Sequence, residues 1–249
     1  MVLYVAYRAS KESKSRSLLP HRLRALGCRQ VHKSFWEIEE GKVNKVLKVL
    51  EKNQPILLKR VRENRKPRFA KNKGISELGS LVIVMYATHK ETKRERIKNF
   101  LRKAPCIRLS RSVYAFSQNH SLFDKENELV DAFKFAGFIK GIHEDVKVIP
   151  RVVIVNADSI ERLLEEIKQR VEGELSYIIR CCKELYNRAL SAEYDVPLMR
   201  DALSKNKRRF IIVKKVAAFY EKWLRMDFSR SLMKSYRAIE KVNSAVNKK

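Results

Sequence analysis

Acid is what this sequence is short of. Its 249 residues hold 28 Asp and Glu against 55 Lys and Arg, a formal net charge of +27. A heat-adapted surface laced with ion pairs raises Glu together with Lys, so the shortage argues against that origin of the charge. An excess of this size repels itself and is the usual mark of a polyanionic partner, with nucleic acid the first candidate. Anionic membrane is a weaker fit, because no stretch approaches about 18 consecutive apolar residues. Glycine is scarce too: seven in all, and no Gly-rich loop of the phosphate-cradling kind. Cysteine is limited to Cys28, Cys106, Cys181 and Cys182, without zinc-type spacing. The histidines at 21, 32, 89, 120 and 143 are scattered, with neither metal spacing nor a recognisable nucleophile beside them. No cofactor and no metal site is therefore expected. The start of the chain lacks a basic region followed by an apolar core and cleavage site, so a cytoplasmic protein is expected.

What is present is a repeat. The stretch Cys106-Ile-Arg-Leu-Ser-Arg-Ser-Val-Tyr-Ala-Phe116 can be laid over Cys28-Arg-Gln-Val-His-Lys-Ser-Phe-Trp-Glu-Ile38. Cys28 then matches Cys106, Val31 matches Leu109, Lys33 matches Arg111, Ser34 matches Ser112 and Trp36 matches Tyr114. Both alternate apolar and polar residues, the period of a half-buried strand. Each is preceded by an apolar run, Leu3–Tyr7 or Leu81–Tyr86, and then by a charged, helix-like segment. One module occurs twice, and a different tail follows.

Within residues 1–60 the pattern predicts a strand at Leu3–Tyr7, then a helix on Leu18, Leu19, Leu23 and Leu26 closed by Gly27. A strand over Gln30–Ile38 follows, then a helix on Val43, Val46, Leu47 and Leu50, and a closing strand at Ile56–Leu58. With room for one more strand where the middle segment turns back, the order is βαββαβ, the ferredoxin-like split pattern. Residues 61–79 read as a basic linker, either a solvated spacer or one that orders on phosphate. The second module, 80–155, predicts a helix over Thr92–Lys103, a helix ending at Gly137, and strand material at Phe138–Gly141 and Val148–Val155. Pro150 implies an edge or a bulge there. Residues 156–249 predict a helical hairpin or small bundle. Asp158–Glu161 has the form of a capping box, Gly173 is a point of interruption, Asp195-Val-Pro197 opens a helix, and Lys205–Arg209 breaks it. The fold class is thus α+β: two tandem ferredoxin-like modules forming a pseudo-dimer, then an α-helical domain.

The repeats resemble the small CRISPR-associated adaptation family (Cas-two), the partner of the spacer integrase, over about 1–60 and 80–155. In that family an apolar strand ends in Tyr-Asp, and a later strand reads roughly Arg-Val-Gln-x-Ser-Val-Phe-Glu. Arg29-Gln-Val-His-Lys-Ser-Phe-Trp-Glu37 and Arg108-Leu-Ser-Arg-Ser-Val-Tyr114 are similar. The resemblance implies a ferredoxin-like pseudo-dimer and a link to a CRISPR-related or other ribonucleoprotein complex. It also implies a divalent metal held by the acid after the first-strand Tyr. Here that position is Arg8 in one copy and Ala87 in the other, and Mg²⁺ requires carboxylate oxygen. Metal-dependent cleavage is therefore not expected, and no catalytic residue is assigned.

The expected function is non-catalytic binding of RNA or DNA through phosphates at the junction between modules. Arg29, Lys33, Arg108 and Arg111 come from the repeats, and Lys59, Arg60, Arg62, Arg65, Lys66 and Arg68 from the first module's exit. Lys207, Arg208 and Arg209 come from the tail. Tyr7, Trp36, Tyr86 and Tyr114 are read as core in preference to base-stacking residues. Two alternatives stand beside this reading. One is a metal-independent endoribonuclease of the toxin type, for which His89 near Tyr86 and Arg94 is the candidate. The other is a protein-only scaffold.

Overall fold

A computed structural model describes residues 2–9, 17–70, 74–87, 91–123, 129–142, 145–190 and 195–247. Residues Met1–Phe123 and Val130–Leu164 form one compact unit; Asp124–Leu129 and Glu165–Lys249 form the other. The class is α+β, with one large antiparallel sheet and a helical C-terminal part.

In the first unit the elements run β1 (Leu3–Ala6), α1 (Leu19–Ala25), β2 (Arg29–His32), β3 (Phe35–Ile38), α2 (Val43–Leu50) and β4 (Ile56–Arg60). After the ribbon β5 (Arg68–Phe69) and β6 (Ile75–Glu77), the order recurs. It reads β7 (Leu81–Tyr86), α3 (Glu91–Arg102), β8 (Cys106–Ser110), β9 (Val113–Ser117), α4 (Ala132–Lys140) and β10 (Val146–Ile154). Eight strands make one sheet in the order β2-β3-β1-β4-β10-β7-β9-β8, so β4 and β10 join the halves. Backbone bonds repeat with the sequence: Tyr7 N–H donates to Ser34 O and Tyr86 N–H to Ser112 O, both at 3.1 Å. Val5 pairs with Trp36 as Val84 pairs with Tyr114.

Burial explains why β1 and β7 read as unbroken apolar runs. Leu3, Val5 and Tyr7 pack with Leu19 and Leu23 of α1 and Val46 and Leu50 of α2. Val82, Val84 and Tyr86 pack with Ile97 of α3 and with Phe135 and Ile139 of α4. The residues between them point to the other face, yet Tyr4, Ala6, Leu81, Ile83 and Met85 are buried as well. A strand covered on both sides loses its polar alternation. What covers the second face follows from contacts at the ends of the sheet. Ser34 Oγ lies 2.6 Å from Ser110 Oγ, and His32 Nε2 lies 3.0 Å from the carbonyl oxygen of Tyr86. Elements far apart in strand order therefore meet, so the sheet curls and encloses Phe35, Val113 and Leu109.

Several local expectations are corrected. The alternating stretches 28–38 and 106–116 are each a two-stranded hairpin, turning at Lys33-Ser34 and Arg111-Ser112. A tight two-residue turn keeps the period of alternation, so sequence alone does not reveal it. Phe138–Gly141 is not strand: α4 continues through Gly137 to Lys140, and Phe138 stacks on Phe100 of α3 at 3.9 Å. Residues 61–79 are not an open linker. They carry β5 and β6, with Leu78 fully buried and Ser80 bonded to Arg65 N–H (2.8 Å) and to its carbonyl (2.9 Å). Gly79 at φ +78° lets this strap close, since a Cβ there would sit 2.7 Å from the Arg65 carbonyl oxygen. Pro150 does sit at a bulge: the β10–β7 register shifts between Ile149 and Val152, and Arg151 takes φ +58°.

In the helical part α5 (Ala157–Ala189), α6 (Val196–Leu224) and α7 (Ser229–Asn247) are long. Gly173 does not interrupt α5, and Lys205–Arg209 does not break α6. Buried residues before, within and after it, Leu203, Asn206 and Val213 among them, hold that basic stretch in the helix. Asp195 caps α6 by accepting from Leu198 N–H at 3.2 Å, with Pro197 in the first turn. No capping box forms at Asp158. α5 begins at Ala157, and Asn156 ties that start to β4, accepting from Leu57 N–H (2.9 Å) and donating to the Pro55 carbonyl (3.3 Å). Among the described residues no helix is long and apolar enough to cross a membrane.

Candidate nucleic-acid interface

Where β4 leaves the sheet, an open cleft of about 630 Å³ is lined by Val2, Lys59, Arg60, Val61, Arg62, Glu63, Arg65 and Arg151. Five of these carry positive charge and one carries negative charge. Register brings them together: Arg60 pairs with Val152 and Lys59 with Val153, at the seam between the two halves. The backbone then holds the exit of β4 rigidly. Arg60 N–H donates to Val2 O at 3.0 Å, and Val61 N–H donates to Arg151 O at 2.8 Å.

Arg151 is the member that sequence reading misses. The bulge turns its backbone so that its N–H donates to Gln118 Oε1 (2.7 Å), while its guanidinium reaches the Arg62 carbonyl (3.0 Å). The sequence holds part of the signal, because Pro150 marks a bulge and an Arg follows it. Beside the cleft, burial pushes the Tyr4 hydroxyl above its ordinary pKa; Glu37 adds to this, and Arg60 and Arg29 oppose it.

The other expected residues fall elsewhere. Arg68, on the β5–β6 ribbon, shares Glu77 with the cleft residue Arg65, at 3.6 and 3.5 Å; Lys66 is exposed between them. Arg29 is ion-paired with Glu37 across the β2–β3 hairpin. Lys33 and Arg111, both exposed, are the chain neighbours of Ser34 and Ser110, whose hydroxyls meet at 2.6 Å. They do not join the cleft. Tyr7 bonds to the first turn and Tyr86 to the second, whereas Leu3 and Leu81, at the opposite ends of those strands, pair with Lys59 and Val152. The repeat residues thus form a second basic group, at the far end of the strands from the first. Lys147 joins that group by donating to Val31 O at 3.0 Å. Arg108 is exposed on β8.

In the helical part, Lys207 donates to Asn243 Oδ1 at 2.8 Å. Arg209 pairs with Glu174 (2.6 Å) and lies over the Tyr177 ring at 3.9 Å. These two side chains are occupied within the bundle, and Arg208 is the exposed one. His89 lies outside the described residues.

Arg8 has a clear structural role. Its Nε donates to the Leu109 carbonyl at 2.9 Å, and a terminal nitrogen donates to the Arg108 carbonyl, so it clasps the other repeat's β8. The resemblance places a metal-binding acid at this position and at Ala87. A guanidinium and a methyl group offer a cation no oxygen, so the residues present do not fit that metal. Among the described residues no three His, Cys, Asp or Glu side chains cluster as metal ligands would. Tyr7, Trp36 and Tyr86 are buried and Tyr114 is half-buried against Tyr86, which is the core role expected of them. Comparison with protein-family models, with curated proteins and with solved structures returned no match.

Proposed function

We propose that this chain is a non-catalytic nucleic-acid-binding protein that grips phosphates at the seam of two ferredoxin-like modules, as a covalent counterpart of the dimers of the family it resembles. The observation that carries the reading is the cleft: Lys59, Arg60, Arg62, Arg65 and Arg151 converge where β4 meets β10, against Glu63 in the lining and Glu77, which pairs with Arg65. Concentrating like charge in one concavity opposes folding, and a polyanion relieves that repulsion. The module assignment is supported by element order and by strand order, fourth-first-third-second within each half. A cytoplasmic setting, in a ribonucleoprotein or CRISPR-related complex, is proposed on the resemblance and is consistent with four unbridged cysteines.

Phosphate contacts of this kind carry no sequence information, so affinity should depend on salt far more than on base composition. The test is the salt dependence of binding to labelled duplex and single strands, for wild type and for a variant with Arg62, Arg65, Lys66 and Arg68 changed to Gln. On duplex, every phosphate left without its cation should flatten the log–log slope by about 0.9, so the variant's slope should be shallower by roughly two to four units. Wild-type affinity and slope in the variant would remove Arg62 and Arg65, two of the five cleft cations, from the mechanism and refute the reading of the cleft as the phosphate grip. Turnover of RNA or DNA by the wild type would replace binding with catalysis.

A further inference from the structure

The outward face of α7 carries a row of positive charge. Ser235, Ile239, Val242 and Val246, spaced i, i+4, i+7, i+11, are buried and turn one face of the helix inward. Arg230, Lys234, Arg237 and Lys241 repeat the same spacing from five positions earlier, and all four are exposed. At 3.6 residues per turn the two rows are about 130–140° apart. Among the described residues, Arg230, Lys234 and Arg237 have no carboxylate partner; Lys241 lies over the Tyr186 ring at 4.2 Å. Consecutive members of the row are three or four residues apart, and like charges at that spacing destabilise a helix. Lys241 contributes its contact with Tyr186 to the packing of α7, and the mutual repulsion of the four cations works against the helix.

We infer that this row is a second phosphate-binding face, carried by the helical part and separate from the cleft of the sheet; the inference rests on nucleic acid being the partner. The row rises about 6, 4.5 and 6 Å between successive members, an extended line some 16 Å long. A duplex presents one phosphate per strand about every 3.4 Å of axis, so such a line meets several phosphates without precise docking. An anionic membrane is the less suitable occupant. An interfacial helix inserts a continuous apolar face; the apolar row of α7 is buried, and Met233 and Tyr236 are half-exposed apolar residues beside the cations, too few to make such a face. Two phosphate-binding faces on one chain would convert the second contact into an intramolecular one, raising affinity without any new specificity.

The experiment uses the full chain in three forms: wild type, the Arg62/Arg65/Lys66/Arg68 variant described above, and a variant with Arg230, Lys234, Arg237 and Lys241 changed to Gln. Binding to a short fluorescent duplex is followed by anisotropy over roughly 50–200 mM salt. The α7 variant should have a slope shallower by about three units and bind at least tenfold more weakly at the lower salt, with its circular dichroism unchanged. A fourth form, Lys234→Arg with Lys241→Arg, keeps the charge and should bind as wild type does. Wild-type slope in the α7 variant overturns the inference and leaves the reading of the cleft intact. Equal weakening in the charge-keeping form assigns the effect to packing and also overturns it. Loss of binding to phosphatidylserine vesicles without loss on duplex overturns it in favour of membrane. A wild type that binds neither duplex nor single strand at low salt refutes the proposed function itself.

Discussion

Replacing Arg8 by Met removes the clasp between repeats and keeps most of its aliphatic bulk. Two hydrogen bonds from a charged donor disappear, and the two carbonyls they leave behind fare differently. Leu109 is fully buried, so its carbonyl has poor access to water; Arg108 is exposed, so its carbonyl rehydrates. A hydrogen bond to a charged group is worth about 1.5–3 kcal/mol when its partner is left unsatisfied, and well under about 1 kcal/mol where water takes over. The sum is about 2–3 kcal/mol. For a chain of this size each kcal/mol lowers Tm by about 2–4 °C, so Arg8→Met should melt about 5–10 °C lower. Calorimetry measures this, and urea unfolding should show a lower midpoint with an unchanged m-value. Arg8→Asp should cost more, because a carboxylate would face two carbonyl oxygens, and Mg²⁺ should not rescue it, since Ala87 adds no ligand. A Tm within about 1 °C of wild type for Arg8→Met would refute the view of Arg8 as a tie between repeats.

Other consequences are open to simpler measurements. Burial lowers the His32 pKa, with Lys33 and Lys147 acting in the same direction and the Tyr86 carbonyl and Asp145 against it. The unfolded chain takes up that proton near pH 6.5 and the folded chain resists, so stability should fall as pH drops below about 6.5, and His32→Gln should flatten the dependence. The Ser34–Ser110 contact predicts a coupling of about 0.5–1.5 kcal/mol in a double-mutant cycle to Ala; additive single variants would show that it contributes nothing. Gly79→Ala should destabilise by about 1–3 kcal/mol, read in urea, because φ is positive and the Arg65 carbonyl blocks a Cβ. Burial pushes the Cys182 thiol up to about 11, so at pH 8 its alkylation in native protein should run about two orders of magnitude slower than in urea.

Patterns set by local chemistry are legible without any coordinates. Gly27 does close α1, Asp195 with Pro197 does open α6, and Pro150 does mark a bulge, because caps and φ restraints act within a few residues. The repeat is legible as well, down to equivalent bonds at Ser34 and Ser112. The folded strap at 62–80 is not. It depends on Leu78 finding a buried site and on Ser80 reaching back to Arg65, and neither leaves a periodic trace. Likewise, two tight turns hide inside alternating stretches that look like continuous strand.

For the candidate interface the division is sharper. Residue order alone establishes how much positive charge there is, that it recurs at equivalent repeat positions, and that no acid follows the first-strand tyrosines. Which cations share a surface is settled by folding. Pairing of β4 with β10 gathers Lys59, Arg60, Arg62, Arg65 and Arg151, and sends Lys33 and Arg111 to the opposite end of the strands. Folding also closes Arg209 onto Glu174 and leaves the α7 row facing outward. Charge is a property of side chains and adds along the chain, whereas a field is a property of distances, and distances between residues 60 and 151 are fixed only when strands far apart in sequence pair.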